Sequence, residues 1–157
     1  MQMKGVKRVI YLALVLAYVA LGFQPVAKAS ELEILGTLTI PAAGVSSSVT
    51  PVELNGTKLI APEQIIGSYN RYENKTFLFA HSSTAFANLH NASVGDDLYY
   101  RGKAYTIISI EDKEKSAISM TNILEDAPVD TLVLMTCSGE PIGDSGDYTK
   151  RLIITAQ

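Results

Sequence analysis

The sequence predicts an all-β domain of about eight strands with short helical turns at residues 31–157, preceded by an N-terminal apolar helix. Short apolar segments recur at nearly regular intervals and are separated by turns that contain Gly, Pro, Asn or Asp. The domain contains no long segment with the 3.6-residue apolar period of an amphipathic helix. This pattern is typical of a closed or nearly closed β-barrel or of a β-sandwich, and a chain of 157 residues is expected to form one domain.

Residues 1–30 are predicted to be an export segment. Three basic residues precede an uncharged apolar run at 9–23, and the tripeptide at 27–29 resembles a small-residue cleavage site. The run is shorter than the ~20 residues of a typical spanning helix, but its flanks could extend it. A cleaved signal peptide and a retained anchor both fit, and either one places the remainder outside the cytoplasm because the basic cluster stays inside.

The first half of the domain consists of predicted strands separated by turn signals. These strands occupy residues 34–40, 49–54, 58–60 and 76–80. Asn55-Gly56 is a typical two-residue hairpin turn between the second and third of them. Short helical turns are predicted at 62–67, which ends at a glycine, and at 85–89.

The second half contains four more predicted strands. They occupy residues 97–100, 103–110, 131–136 and 151–155. Arg101-Gly102 indicates a hairpin between the first two, and a Gly-rich loop at 138–148 joins the last two. Residues 118–124 fit either a strand or a helix.

The distribution of charge argues against nucleic acid as a partner. All 16 acidic residues follow Ser30, whereas four of the 13 basic residues precede it, so residues 31–157 carry a net charge of −7. No cluster of Lys or Arg remains there to neutralise phosphates. The sequence also lacks a Walker loop, a His-Glu-x-x-His helix and paired-cysteine motifs, which argues against nucleotide- and metal-dependent enzymes.

Cys137 is the only cysteine, so the exported domain carries a free thiol. It directly follows the predicted strand at 131–136, and His81 follows the strand at 76–80 in the same way. A cysteine nucleophile needs a proton-transfer partner and a group that stabilises the oxyanion. His81 and Arg151 are candidates for these roles. Taken singly, each residue also fits a structural role, as a small buried thiol, a hydrogen-bonded imidazole or a surface ion pair.

Five segments of the domain match the motifs of a known family. In chain order they are LTIPAAGV at 38–45, FLFAHSS at 77–83, ASVGDDLYY at 92–100, VLMTC at 133–137 and RLIITA at 151–156. With the order His, Cys and Arg, they resemble the sortase family, the cysteine transpeptidases of Gram-positive-type cell surfaces. VLMTC is similar to the family's Thr-Leu-x-Thr-Cys signature, with Val133 in place of the first threonine, and RLIITA is similar to the strand that carries the catalytic arginine.

The resemblance implies a closed sortase-like β-barrel and a role for each candidate residue. Cys137 would be the nucleophile and His81 the general acid/base. Arg151 would position the substrate and stabilise the oxyanion, and Thr136 would support the site through its hydroxyl or its backbone. The implied reaction is acyl transfer through a thioester on the cysteine.

The same resemblance implies the partners and the location. The donor would be a surface protein with a C-terminal sorting signal of the Leu-Pro-x-Thr-Gly kind, and the acceptor would be an amine of a cell-wall precursor or of a pilin. Because the family usually keeps its N-terminal segment, residues 1–30 are expected to anchor the chain in the cell membrane. Secretion after cleavage is the alternative.

Two other functions fit the same residues. A thiol hydrolase would use the same three side chains, with water in place of the amine acceptor. A non-enzymatic surface-binding β-domain would bury Cys137 as an ordinary core residue.

No cofactor or metal site is predicted, and calcium is the one alternative. Glu111, Asp112 and Glu114 form an acidic cluster, and some sortases bind calcium in such a region. Lys113 and Lys115 interleave these carboxylates and would compete with a cation, so a solvated turn is the preferred interpretation.

Two other polar groups receive no chemical role. His90 is interpreted as a surface residue of a polar turn. The acidic residues of the loop at 138–148 indicate first a mobile loop and second a metal or substrate-gating site. These residues are Glu140, Asp144 and Asp147.

Overall fold

The computed structural model describes residues 32–157, whose eight strands close into a barrel. The strands are β1 (Gly36–Ile40), β2 (Val45–Pro51), β3 (Ile66–Tyr72), β4 (Lys75–Phe79), β5 (Asp97–Tyr100), β6 (Lys103–Glu114), β7 (Thr131–Pro141) and β8 (Tyr148–Ala156). They are ordered β1-β2-β3-β4-β7-β8-β6-β5, and β5 pairs with β1 to close the barrel. The predicted all-β closed barrel of about eight strands is therefore confirmed.

Helical structure is limited to short pieces in this part of the chain. They are the 3-10 helices Pro41–Ala43, Leu89–Asn91 and Lys115–Ala117 and the α-helix α1 (Met120–Leu124). The helical turn predicted at 85–89 is a series of turns that leads into Leu89–Asn91, and the ambiguous segment at 118–124 contains α1. No helix within residues 32–157 has the length and apolarity to cross a membrane. The predicted N-terminal helix and export segment at 1–30 lie outside the described residues.

Two pairs of neighbouring strands run parallel, and the others run antiparallel. β2 pairs with β3, and β4 pairs with β7. Parallel neighbours require long crossover connections, which here are residues 52–65 and 80–130. Because β4 and β7 point the same way, the residues that follow β4 and the last residues of β7 lie at the same end of the barrel.

Apolar side chains cover both faces of the sheet at β4, β7 and β8. Leu78, Leu134 and Ile154 alternate along their strands with neighbours on the opposite face and belong to the interior core of the barrel. The alternate positions form a second cluster on the outer face. Its buried members are Phe77, Phe79, Val133 and Ile153. Burial on both faces explains why these strands read as continuous apolar runs.

Two connections cover the outer cluster. Residues 52–65 contribute Val52 and Leu59, and the segment between β6 and β7 contributes Ile118 and Leu124. A groove lies between the two covering segments and is lined by residues of both.

The β2–β3 region differs from the sequence prediction. Asn55 and Lys58 form a tight turn with backbone hydrogen bonds of 2.9 and 3.1 Å, but the bridge is isolated and the predicted strand at 58–60 is wrong. The helical turn predicted at 62–67 is also wrong, because these residues bend directly into β3. β3 was not predicted from the sequence; its polar strand is stabilised by pairing with β2 and β4.

The three C-terminal strands are longer than predicted. β6 extends to Glu114, and it pairs with β8 as far as Glu114 and Lys150. The acidic cluster at 111–114 therefore lies on a strand, and the solvated-turn interpretation is wrong in its local structure. The charged side chains of the cluster are tolerated there because residues 111–114 are all solvent-exposed.

Gly67 is the position at which the β2–β3 connection packs most closely on the barrel. A Cβ atom there would lie 2.8 Å from Val52 Cγ2, 2.9 Å from Pro62 Cδ and 3.0 Å from Phe79 Cζ. We therefore expect Gly67→Ala to lower the free energy of unfolding by about 1–3 kcal/mol through overpacking. Urea denaturation measures this change, and an unaltered transition midpoint would contradict the packing described.

Candidate active site

The strand pairing brings the three candidate residues to neighbouring positions. Cys137 on β7 is the direct register partner of Arg151 on β8. Phe79 at the end of β4 is the partner of Met135 on β7, and the pairing continues because Ala80 N donates to Met135 O at 3.4 Å. His81 thus follows β4 at the level of Cys137. Neighbouring strands are about 4.8 Å apart, so the backbones of Cys137 and Arg151 lie side by side. His81 comes directly after Ala80, which is hydrogen-bonded to β7.

The period of two places the thiol and the guanidinium on the outer face. Met135 and Ile153 belong to or pack against the outer cluster, and Cys137 and Arg151 are each two residues away from them on the same strands. Cys137 is half-buried, and His81 is exposed. The candidate nucleophile therefore lies outside the interior core, on the side of the sheet that other molecules can reach.

Thr136 fastens the end of β7 to the residue before His81. Its side chain is buried, and its hydroxyl donates a 2.8 Å hydrogen bond to the backbone oxygen of Ala80. This bond replaces the strand pairing where β4 ends. It joins the backbone at Ala80 to β7, and so it fixes the backbone positions next to His81 and Cys137 relative to each other.

The guanidinium of Arg151 is held by three hydrogen bonds. Nη1 donates to the backbone oxygens of Tyr148 at 3.0 Å and Lys150 at 2.8 Å, and Nη2 donates to Asp147 Oδ1 at 2.6 Å. A guanidinium has five N–H donors. At least two donors remain for another acceptor, which is what the stabilisation of an oxyanion requires.

Asp147 lies beside Arg151, whereas the sequence indicated first a mobile loop and second a metal or substrate-gating site for this residue. It binds Arg151 and also accepts a hydrogen bond from Lys115 Nζ. Hydrogen bonds from Lys115, Arg151 and the backbone N–H of Tyr148 hold the pKa of the Asp147 carboxyl well below its ordinary value of 3.8. The ionised form stabilises the fold above that value, and the contribution is lost only as the pH falls toward the lowered pKa. The four-residue spacing from Asp147 to Arg151 is no signal for this pair, because that spacing brings side chains together on a helix and not along a strand.

An apolar groove of about 620 Å³ on the outer face of the barrel leads to Arg151. Phe79 and Met135 form part of its floor, and Arg151 and Lys115 are among its cationic lining residues. The two connections provide its walls, among others through Leu59, Ile118 and Leu124. His81 and Cys137 lie two residues beyond Phe79 and Met135, just past the lining. A cleft of about 550 Å³ near Tyr100 and Arg101 contains none of the candidate residues.

The acidic cluster on β6 is paired with lysines. Glu111 lies 2.9 Å from Lys113, and Lys150 lies 3.7 Å from Asp112 and 3.8 Å from Glu114. In residues 32–157 there is no group of three His, Cys, Asp or Glu side chains that could hold a metal ion. His90 is exposed in the 3-10 helix Leu89–Asn91.

Comparisons with known proteins identify one family. A family model described as the sortase domain matches residues 38–157. The fold is similar to sortase A of Listeria monocytogenes, with 15% identity, a TM-score of 0.59 and coverage of 79% of this chain and 86% of that chain. It is also similar to sortase C1 of Streptococcus agalactiae, with 20% identity, a TM-score of 0.62 and coverage of 99% and 88%. None of the curated proteins matches the sequence.

The hydrogen bond from Thr136 is testable by removing its hydroxyl. Thr136→Val keeps the branched shape but leaves the buried oxygen of Ala80 without its donor, so we expect the free energy of unfolding to fall by about 1–3 kcal/mol. Thr136→Ser retains the donor and serves as the matched control. Chemical denaturation of the three proteins measures the effect. Wild-type stability in Thr136→Val together with a loss in Thr136→Ser would show that the methyl group matters and the hydroxyl does not.

Proposed function

Because this chain belongs to the sortase family, we propose that it is a cysteine transpeptidase that acts through Cys137, His81 and Arg151. The observation that supports the proposal is the register pairing of Cys137 with Arg151 beside an apolar groove. His81 comes directly after Ala80, which is hydrogen-bonded to β7 at the same end of the barrel. Thr136 supports the site by fixing the backbone before His81.

The first half-reaction forms a thioester. The thiolate of Cys137 attacks the scissile carbonyl carbon of a bound peptide, and a C–S bond forms. The unused N–H donors of Arg151 stabilise the resulting oxyanion. His81 donates a proton to the departing amine as the C–N bond breaks. The amino-terminal part of the peptide remains attached to the sulfur.

The second half-reaction transfers the acyl group to an amine. His81 accepts a proton from the incoming amine, whose nitrogen attacks the thioester carbon. The new C–N bond forms, the C–S bond breaks, and Cys137 is regenerated as the thiolate. The reaction therefore balances with three protein side chains, and we propose that it requires no cofactor.

We infer that the donor is a sorting signal of the Leu-Pro-x-Thr-Gly kind on a surface protein. The groove beside Arg151 is apolar along Phe77, Phe79 and Met135. Such a lining favours an extended peptide with an aliphatic side chain, such as Leu, on the amino-terminal side of the scissile bond. An amine of a cell-wall precursor or of a pilin would be the acceptor. The predicted export segment at 1–30 favours work outside the cytoplasm, with the chain anchored in the cell membrane.

The proposed thioester can be trapped on the protein. Incubation of residues 31–157 with a panel of sorting-signal peptides should yield an acyl adduct on Cys137 by mass spectrometry, and Cys137→Ala should yield none. Addition of an amine acceptor should convert the adduct to the transpeptidation product. Hydrolysed product alone, even at high amine concentration, would assign a thiol hydrolase. An intact fold with no adduct for any peptide would favour a binding domain.

Arg151→Lys should lower kcat/KM by about 100-fold or more, in the range seen when one oxyanion donor is removed. An ammonium group has three donors on a single atom, and it cannot hold the loop oxygens, pair with Asp147 and also face the substrate. Steady-state kinetics with a peptide and an amine measures the loss. The exposed residue Arg71 provides the matched control, and Arg71→Lys should retain wild-type kinetics.

A further inference from the structure

Asp147 joins two cationic residues from separate parts of the chain. Its Oδ1 accepts a hydrogen bond from Arg151 Nη2 at 2.6 Å, and its Oδ2 accepts one from Lys115 Nζ. Arg151 lies on β8, whereas Lys115 directly follows β6. One carboxylate therefore connects the β7–β8 loop to the segment that forms a wall of the groove.

The β7–β8 loop holds Asp147 in this position through its own hydrogen bonds. Ile142 N donates to Asp147 O at 2.8 Å and closes the loop at its base. Asp147 N donates to Ser145 Oγ at 3.2 Å, and Tyr148 N donates to Asp147 Oδ1 at 2.9 Å. The carboxylate is therefore oriented by its own loop before any substrate binds, and little further ordering is needed to hold Arg151.

Asp147 supplies the counter-charge for the largely buried guanidinium of Arg151. Only 14% of the Arg151 side chain is exposed. A largely buried guanidinium requires a counter-charge, because an uncompensated charge in such a place is strongly disfavoured. In residues 32–157 Asp147 is the one ion-pair partner of Arg151. Without it, Nη1 would keep its hydrogen bonds to two backbone oxygens, but Nη2 would lose its acceptor and the guanidinium its counter-charge.

The contacts of Asp147 are with the groove residues and not with the groove itself. Arg151 and Lys115 line the groove, whereas Asp147 is absent from its lining. The carboxylate thus lies behind the two cations. Any effect of Asp147 on a bound peptide must pass through their positions.

We propose that Asp147 is a positioning residue for acyl transfer, which holds the Arg151 guanidinium toward the substrate and holds Lys115 at the groove wall. This inference rests on the transpeptidase function proposed above. Arg151 touches the reacting atoms, and Asp147 acts through it. Because the carboxylate sets an orientation that matters most in the transition state, its removal affects kcat more than KM.

Kinetics of matched variants test this role. Asp147→Asn keeps the size and one acceptor oxygen but removes the charge, and we expect kcat to fall by about 10- to 100-fold, the scale of a misplaced catalytic group. KM should change much less. Asp144→Asn, an exposed position in the same loop, is the control and should match the wild type. Wild-type kcat in Asp147→Asn, or a loss confined to KM, would overturn the assignment.

Coupling to Lys115 provides a second test. Lys115→Gln alone should cost less than Asp147→Asn because the Arg151 pair remains intact. The double variant should be no worse than Asp147→Asn, since both changes remove the same contact. Additive losses would show that Lys115 acts independently of the carboxylate. Lys150→Gln is the control for a lysine that pairs with other carboxylates.

A measurement without substrate separates the two proposals. ¹⁵N NMR relaxation of the arginine Nε–H groups should show an ordered Arg151 side chain in the wild type and a mobile one in Asp147→Asn. An ordered Arg151 in the variant would overturn the positioning role whether or not the enzyme is active. A wild type that forms no thioester with any peptide would refute the transpeptidase function, while the relaxation data still decide the role of Asp147.

Discussion

The parallel pairing of β4 with β7 is the constraint on which the candidate site depends. The parallel pairing places the residues that follow β4, including His81, at the same end of the barrel as Cys137 on β7. The antiparallel neighbour β8 then adds Arg151 at the level of Cys137. Where β4 ends, the buried hydroxyl of Thr136 continues the connection to Ala80. The interior core supports this arrangement because the alternate residues of the same strands are fully buried.

Local patterns in the sequence were sufficient for the elements that build the site. The apolar runs before His81 and Cys137 predicted β4 and β7, because strands with two buried faces show continuous hydrophobicity. β3 was missed for the complementary reason, since its polar residues are stabilised by pairing with distant strands and not by their own pattern. The position of His81 after β4, at the level of Cys137, could be expected only from the family resemblance, because no local pattern specifies a parallel crossover of this length.

The contacts of Asp147 show a further limit of sequence reasoning. Its pairing with Arg151 is local, but its pairing with Lys115 depends on how β6 lies beside β8. Glycine and acidic residues in a loop are typical of mobility, and here the loop is held by hydrogen bonds at its base and by two cations. The same composition can therefore serve a fixed structure when the partners come from neighbouring strands.

The two faces of the sheet carry different sets of side chains, one for the core of the barrel and one for the groove. The inward side chains form the interior core of the barrel, while the outward ones on β4, β7 and β8 pack against apolar residues of two connections. Substitutions of groove-lining residues in those connections, such as Leu59 or Leu124, change the groove and leave the interior core residues as they are. In such an architecture, the peptide that the groove binds can change while the interior core that folds the barrel stays the same.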